Sequence, residues 1–453
     1  MRRLFLPVLV LVALGTVFAL GATGARAAAT IESATIENGY PKDLTFKLTA
    51  SAPVEIREVT LRYTVQGTGT SASGKPETFT PGTSITTSAK VDTNPNTNWI
   101  PAGVDITWHW ELVLADGTTT VQPDQKYIYL PPAREWKTAT NDIAVVYFYG
   151  ARESLAAKFL DAIKGTYEEH GKTLLKTDLP LKPVKLVLMG TPDELKEASP
   201  SKGTTLDNSR SIVTCGFRPG STTNLIFSTV QCGGSDPIDT VRHEFGHILN
   251  AAAGEGTLVK LPTWLEEGLA VYAQDAQGEY LSAFSAATRS SRGLIPFRQM
   301  SQPVSDQNQV ILQYGQGFMM TKYLIDTYGV PKLNQLLGLT KKNTRFDEAL
   351  KTTYTFDIDG FEKEFTAAVS GARATPTVAP TVRPQQQPAP TPVPTAAPQQ
   401  QAPPKASAAS GGDDFPSTTT VVIAGAVVIL LLFAVFAMLL LMMLQNQRGG
   451  PAT

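Results

Sequence analysis

The sequence predicts an α+β domain preceded by an all-β sandwich, the two carried between an export leader and a membrane anchor. Three observations point this way. Apolar side chains alternate every second residue in short runs across residues 30–135. From about residue 140 the apolar period lengthens to three or four residues. Near each end of the 453-residue chain lies an uncharged apolar run.

Residues 1–27 open with Arg2 and Arg3, continue as an apolar stretch and end in Ala25-Arg26-Ala27. A charged start, a greasy middle and a small-x-small cleavage site read as a secretory signal. In the following region, 30–135, Ile106, Trp108, Trp110, Leu112 and Leu114 alternate with Thr107, His109, Glu111 and Val113, and Asp116-Gly117 then supplies a turn. Val59, Leu61, Tyr63 and Val65 mark a second strand, and Phe46 with Leu48 a third. Short strands at this spacing suggest a sandwich of immunoglobulin-like type, in architecture alone, because no cysteine pair is present there. His109 falls on the polar face of its strand, where a solvated role is expected.

Across 140–372, Ile143 to Tyr149 and Val184 to Met189 read as short apolar strands, and Arg152 to Glu169 as an amphipathic helix ending at Gly171. His170, at that end, is expected to face the helix dipole. Helical periodicity returns at 237–252, 262–275, 309–328 and 358–370, so helices dominate the second half of an α+β domain. Residues 373–418 are rich in Pro, Gln, Ala and Thr and carry too few large apolar side chains to offset ordering entropy, so a disordered, extended stalk is expected. Residues 420–444 are apolar and uncharged, long enough at about 1.5 Å per residue to cross a bilayer as a single transmembrane helix, leaving a short cytoplasmic tail, 445–453.

The net charge of -1, with no basic block, argues against nucleic acid as a main partner. The two cysteines, Cys215 and Cys232, lie in the segment expected outside the cell, where a disulfide between them would persist.

The segment that carries chemistry is His243-Glu244-Phe245-Gly246-His247. Residues four apart on a helix share a face, so the two imidazoles can grip one ion, while Glu244 is offset toward a water on that ion. Two of the chain's four histidines are here, and at that frequency a chance HExxH falls in well under about one sequence in a hundred. Val241, Phe245, Ile248 and Leu249 would pack the opposite side into a core. A catalytic zinc takes three protein ligands and keeps a position for water. No third histidine follows at the spacing HExxHxxGxxH, which leaves carboxylates. Pro262-Thr263-Trp264-Leu265-Glu266-Glu267-Gly268-Leu269-Ala270 opens a second helix and offers two, Glu266 and Glu267.

The HExxH segment followed by Trp264 to Ala270 resembles the gluzincin metallopeptidases, in particular the bacterial peptidase-MA-like group and, more distantly, aminopeptidase N and thermolysin. The resemblance spans about residues 140–370. It implies a gluzincin-like catalytic domain that hydrolyses a peptide or protein substrate with one Zn²⁺. It makes His243, His247 and Glu267 the metal ligands and Glu244 the catalytic base. Glu267 follows from the register of the W-L-x-E-G-x-A motif. Nineteen residues separate it from His247, one more than in aminopeptidase N, and counting alone would select Glu266. Tyr314-Gly315-Gln316-Gly317-Phe318 resembles the stretch where a tyrosine opens a helix facing the site, which makes Tyr314 the candidate oxyanion donor. In relatives the substrate lies along an edge strand before the HExxH helix, a place that Thr223 to Val230 could fill. The G-x-M-E-N motif that binds a free substrate amine is absent, so exopeptidase specificity does not carry over. The histidine-orienting Asp of thermolysin-like relatives is replaced by Val271, with Asp239 and Asp275 as substitutes. The competing reading is a surface adhesion or binding protein whose metal is structural; a closed four-ligand site would mark it.

Overall fold

The computed structural model describes residues 28–371, apart from 77, 95–98, 201–214, 221, 234–235, 292, 303 and 305–306. The leader, the stalk, the 420–444 apolar run and the tail expected from the sequence lie outside the described residues. Among the described residues no helix is long and apolar enough to cross a membrane.

Strands β1 (Thr30–Gly39), β2 (Asp43–Val65), β3 (Thr70–Gly74), β4 (Gly82–Asp92), β5 (Asp105–Leu114), β6 (Thr119–Val121) and β7 (Gln125–Ile128) form one hydrogen-bonded sheet. The stretches around Phe46 and Val59, which read as two strands, are the halves of β2. Its ladders shift register between Ser51 and Ile56, around Pro53, which has no N–H to give a ladder. The first half pairs with β1 and β4, the second with β3 and β5. Folded over, the halves set the Phe46 ring 6.2 Å from Tyr63 and 5.2 Å from Trp108. The layers thus stack as a sandwich should, yet they share a strand, which the two separate sheets of an immunoglobulin-like domain do not. On β5 the even-numbered residues from Ile106 to Leu114 are buried. His109 faces outward and its Nδ1 lies 2.7 Å from Asp124 Oδ1.

A second sheet holds β8 (Lys137–Thr140), β9 (Ala144–Phe148), β10 (Val184–Met189), β11 (Gly216–Phe217) and β12 (Leu225–Thr229), in the order β11-β12-β10-β9-β8. Every residue of β10 and β12 is buried, and the reason is the layer on each side. Leu186, Leu188 and Ile226 join the helical core, whereas Val187, Met189, Leu225 and Phe227 join the core of the β-rich region. The two regions that read as separate domains therefore share this sheet. Gly103, at φ +88°, lets the β-rich region approach, since a Cβ there would press into Val187 and Leu225. The buried Lys185 crosses the same boundary, with Nζ 2.6 Å from Asp105 Oδ2 and donating to the Gly103 carbonyl at 3.1 Å.

The helices are α1 (Glu153–Thr166), α2 (Pro192–Glu197), α3 (Pro237–Gly254), α4 (Thr263–Tyr272), α5 (Gly278–Arg289), α6 (Gln307–Tyr328), α7 (Val330–Lys341), α8 (Phe346–Tyr354) and α9 (Ile358–Gly371). Helix α1 does not stop at Gly171 but runs on as a π-helical segment, Tyr167–Leu174. Helix α3 starts where Asp236 accepts the Ile238 N–H and Pro237 takes the first helical position. Its Val241, Phe245, Ile248 and Leu249 enter the helical core. Helix α4 is wedged between α3 and α6 with almost no side chain at the crossings. A Cβ on Gly246 of α3 would lie 3.3 Å from the Ala270 Cα. One on Gly268 would collide with the Gly317 carbonyl and the Thr321 hydroxyl, and one on Gly317 with the Trp264 carbonyl. Gly268→Ala must force these backbones apart. It is expected to cost about 1–3 kcal/mol in urea unfolding and to weaken metal binding, because Glu267 moves with the helix; unchanged stability would show that the crossing has slack.

Candidate metal centre

Helix α3 carries His243, Glu244 and His247 on its buried length, and α4 carries Glu266 in its first turn and Glu267 directly after it. Glu267 Oε2 stands 3.2 Å from His243 Nε2 and 3.5 Å from His247 Nε2. The two imidazole planes are nearly perpendicular, with centroids 4.8 Å apart. The three ligand atoms all fall within 4.8 Å of one another, so they can share one ion. Glu267 Oε2 is buried and has no hydrogen-bond partner. An orphaned carboxylate oxygen facing two ring nitrogens is what a cation would satisfy, and two imidazoles with one carboxylate suit Zn²⁺.

The electrostatics favour positive charge at this point. Burial works against a charged His247, but Glu267 and then Glu266 outweigh it and raise its pKa to about 9. Burial raises Glu244 above the usual carboxylate range, while His243, His247 and the Arg218 backbone pull it back. Burial, with the carboxylates of Glu267 and Glu244, holds the Tyr314 phenol protonated far above neutrality.

Tyr314 does not open its helix. Helix α6 begins at Gln307, so Tyr314 sits about two turns inside it. Its ring stacks on His243 at 5.6 Å with 13° between planes. Tyr314, His243 and Glu244 line a cleft of about 500 Å³, with Tyr280, Gln274 and Gly216 on its other walls.

The strand bordering this cleft is not the one expected. Thr223 to Val230 contains β12, which is paired on both sides, with β10 and with β11. Among the described residues the edge of the sheet on this side is β11. Thr229 N–H bonds to the Cys215 carbonyl at 2.9 Å, and antiparallel alternation then turns the Gly216 peptide groups away from β12. A Cβ on Gly216 would lie 3.1 Å from Glu244 Cγ. Cys215, at the start of this edge, is joined to Cys232 by a disulfide.

Asp239 and Asp275, the substitutes for an orienting Asp, do not face a ligand imidazole. Asp239 accepts the Asp275 and Ala276 N–H groups at 2.8 and 3.1 Å, and Asp275 pairs with Arg242 at 2.9 Å. Sequence reasoning gave no role to Arg218, Asn250 or Glu266. Asn250 Nδ2 donates to the Glu266 carbonyl at 3.1 Å, tying α3 to α4, and its Oδ1 lies 2.9 Å from His170 Nε2. An Asn three residues after a helical His was the one available signal, since it falls on the same face.

Two imidazoles in HExxH register with a carboxylate from the next helix define a metallopeptidase-like site. A family profile described as Peptidase MA superfamily matches residues 226–371, a span that takes in α3, α4 and α6 and supports a metallopeptidase-like family. No curated protein matches the chain.

His170 is not a cation at a helix end: it is buried, and burial depresses its pKa to about 4. The folded state therefore prefers the neutral ring. Its stabilisation is complete above the unfolded value near 6.5 and is lost as pH falls toward 4, by on the order of 3 kcal/mol. Urea unfolding at pH 7 and pH 4 should show this loss in the natural chain and a smaller one in His170→Gln; equal losses would contradict it.

Proposed function

We propose that the chain is a zinc metallopeptidase that hydrolyses peptide bonds outside the cell, tethered to the membrane by the 420–444 segment. The observation that carries the reading is the meeting of His243, His247 and Glu267 at an orphaned carboxylate oxygen, with Glu244 on the same helix. Among the described residues the group has three members, which leaves a position for water where a closed structural site would have a fourth ligand. Export and tethering rest on the leader pattern and the apolar run of the sequence, and the disulfide fits an oxidising compartment.

His243, His247 and Glu267 would hold the ion. Bound there, Zn²⁺ supplies a Lewis acid that polarises the scissile carbonyl and brings the pKa of water toward neutrality. Glu244 takes the proton as the water oxygen bonds to the carbonyl carbon. It returns that proton to the amide nitrogen as the C–N bond breaks, so the products are a free carboxylate and an amine. Tyr314, kept protonated by its surroundings, donates a hydrogen bond to the carbonyl oxygen as it gains charge. An extended peptide adds to the free edge of β11 at Gly216, which brings its backbone past Glu244.

Glu244→Gln should keep the metal and lose hydrolysis by at least about a hundredfold, measured with a peptide library and by metal analysis. Tyr314→Phe should lower kcat about ten- to a hundredfold with little change in KM. Chelator should abolish cleavage and added Zn²⁺ restore it. Undiminished cleavage by Glu244→Gln would remove the proposed base.

A further inference from the structure

One carboxylate at the centre remains without a task. Glu266 neighbours Glu267 in sequence but reaches the other side of the same ring. Its Oε1 stands 3.4 Å from His247 Nδ1, while Glu267 approaches Nε2. The 3.4 Å contact is an ion-pair distance without hydrogen-bond alignment, and His247 Nδ1 has no other hydrogen-bond partner. Arg218 closes the group. Its Nη1 lies 3.6 Å from Glu266 Oε1 and donates to the His247 main-chain carbonyl at 3.1 Å. Only 15% of the Arg218 side chain is exposed, so the guanidinium has little water to turn to.

We propose that Glu266 and Arg218 are positioning residues that fix the orientation and tautomer of His247. A neutral imidazole has one N–H and one bare nitrogen. For Nε2 to be a ligand it must be the bare one, so Nδ1 carries the proton and needs an acceptor. Glu266 is the carboxylate facing it. Arg218, with Nη1 3.6 Å from Glu266 Oε1, holds that carboxylate in place. Asn250 holds the same residue by its main chain. Carboxylate, histidine and ion in line raise the basicity of the ligand nitrogen. The assignment rests on reading His243, His247 and Glu267 as the metal cradle, and it gives Glu266 a role distinct from Glu267. It also links substrate edge to metal cradle, since Arg218 directly follows β11.

The test measures Zn²⁺ affinity of the full chain by chelator competition, with thermal unfolding of the metal-free form as a folding control. Glu266→Gln should bind Zn²⁺ about ten- to a hundredfold more weakly, with its metal-free melting temperature nearly unchanged and its lost turnover largely recovered at saturating Zn²⁺. Glu266→Asp should fall between. Arg218→Gln should weaken binding too, and the double variant should be little worse than the poorer single one, because both act through one ring. Affinity of Glu266→Gln within about twofold of the natural chain would overturn the proposal. So would abolished binding in Glu266→Gln with binding kept in Glu267→Gln, which would make Glu266 the ligand. A natural chain that binds no Zn²⁺ would overturn the functional reading itself, a result separate from both.

Discussion

Glu267 reaches the two imidazoles because α4 lies backbone to backbone against its neighbours. The chain sets glycines at both of these crossings, Gly246 of α3 against α4 and Gly268 with Gly317 between α4 and α6, where any larger residue would hold the helices apart. With α4 that close, the Glu266 and Glu267 carboxylates fall within 3.2 to 3.5 Å of the α3 rings. The same crossing brings α6 near enough for Tyr314 to stack on His243. Packing and chemistry are here one constraint, because a helix shift of an ångström would disturb the core and the convergence of donor atoms together.

The centre was legible in the sequence where its geometry is local. The four-residue spacing of His243 and His247 is a property of the helix itself, and the W-L-x-E-G-x-A register selected the carboxylate that the structure sets against both Nε2 atoms. What stayed hidden is non-local. Arg218 meets His247 across 29 positions of chain, and no periodicity encodes that contact. Tyr314 was set at a helix start by the resemblance alone, although the helical period already ran from residue 309. The edge strand was missed because β11 is two residues long, too short to alternate.

The fold was legible to a similar depth. The alternation of β5 is visible because one face meets a core and the other water. In β10 and β12 that contrast vanishes, so the apolar run of β10 marked a strand without saying that two different cores lie against its two faces. The β2 bend was read as a gap, since Pro53 interrupts the pattern while the chain stays extended through it. His170 was misplaced by the π-helical continuation of α1, which turns an apparent terminus into interior.

The shared middle sheet has a consequence for how the chain would survive a cut in its backbone. Where two modules are joined by a loose hinge, that hinge is the natural site of cleavage, and each half outlives the cut. Here a nick between Leu130 and Lys137 would leave the Val187, Met189, Leu225 and Phe227 face still clasped by the strands that cover it, with Lys185 held to Asp105. Cleaved ends would stay associated, and a true separation would have to wet that whole apolar face at once. A cut in that linker thus has no fragment to release.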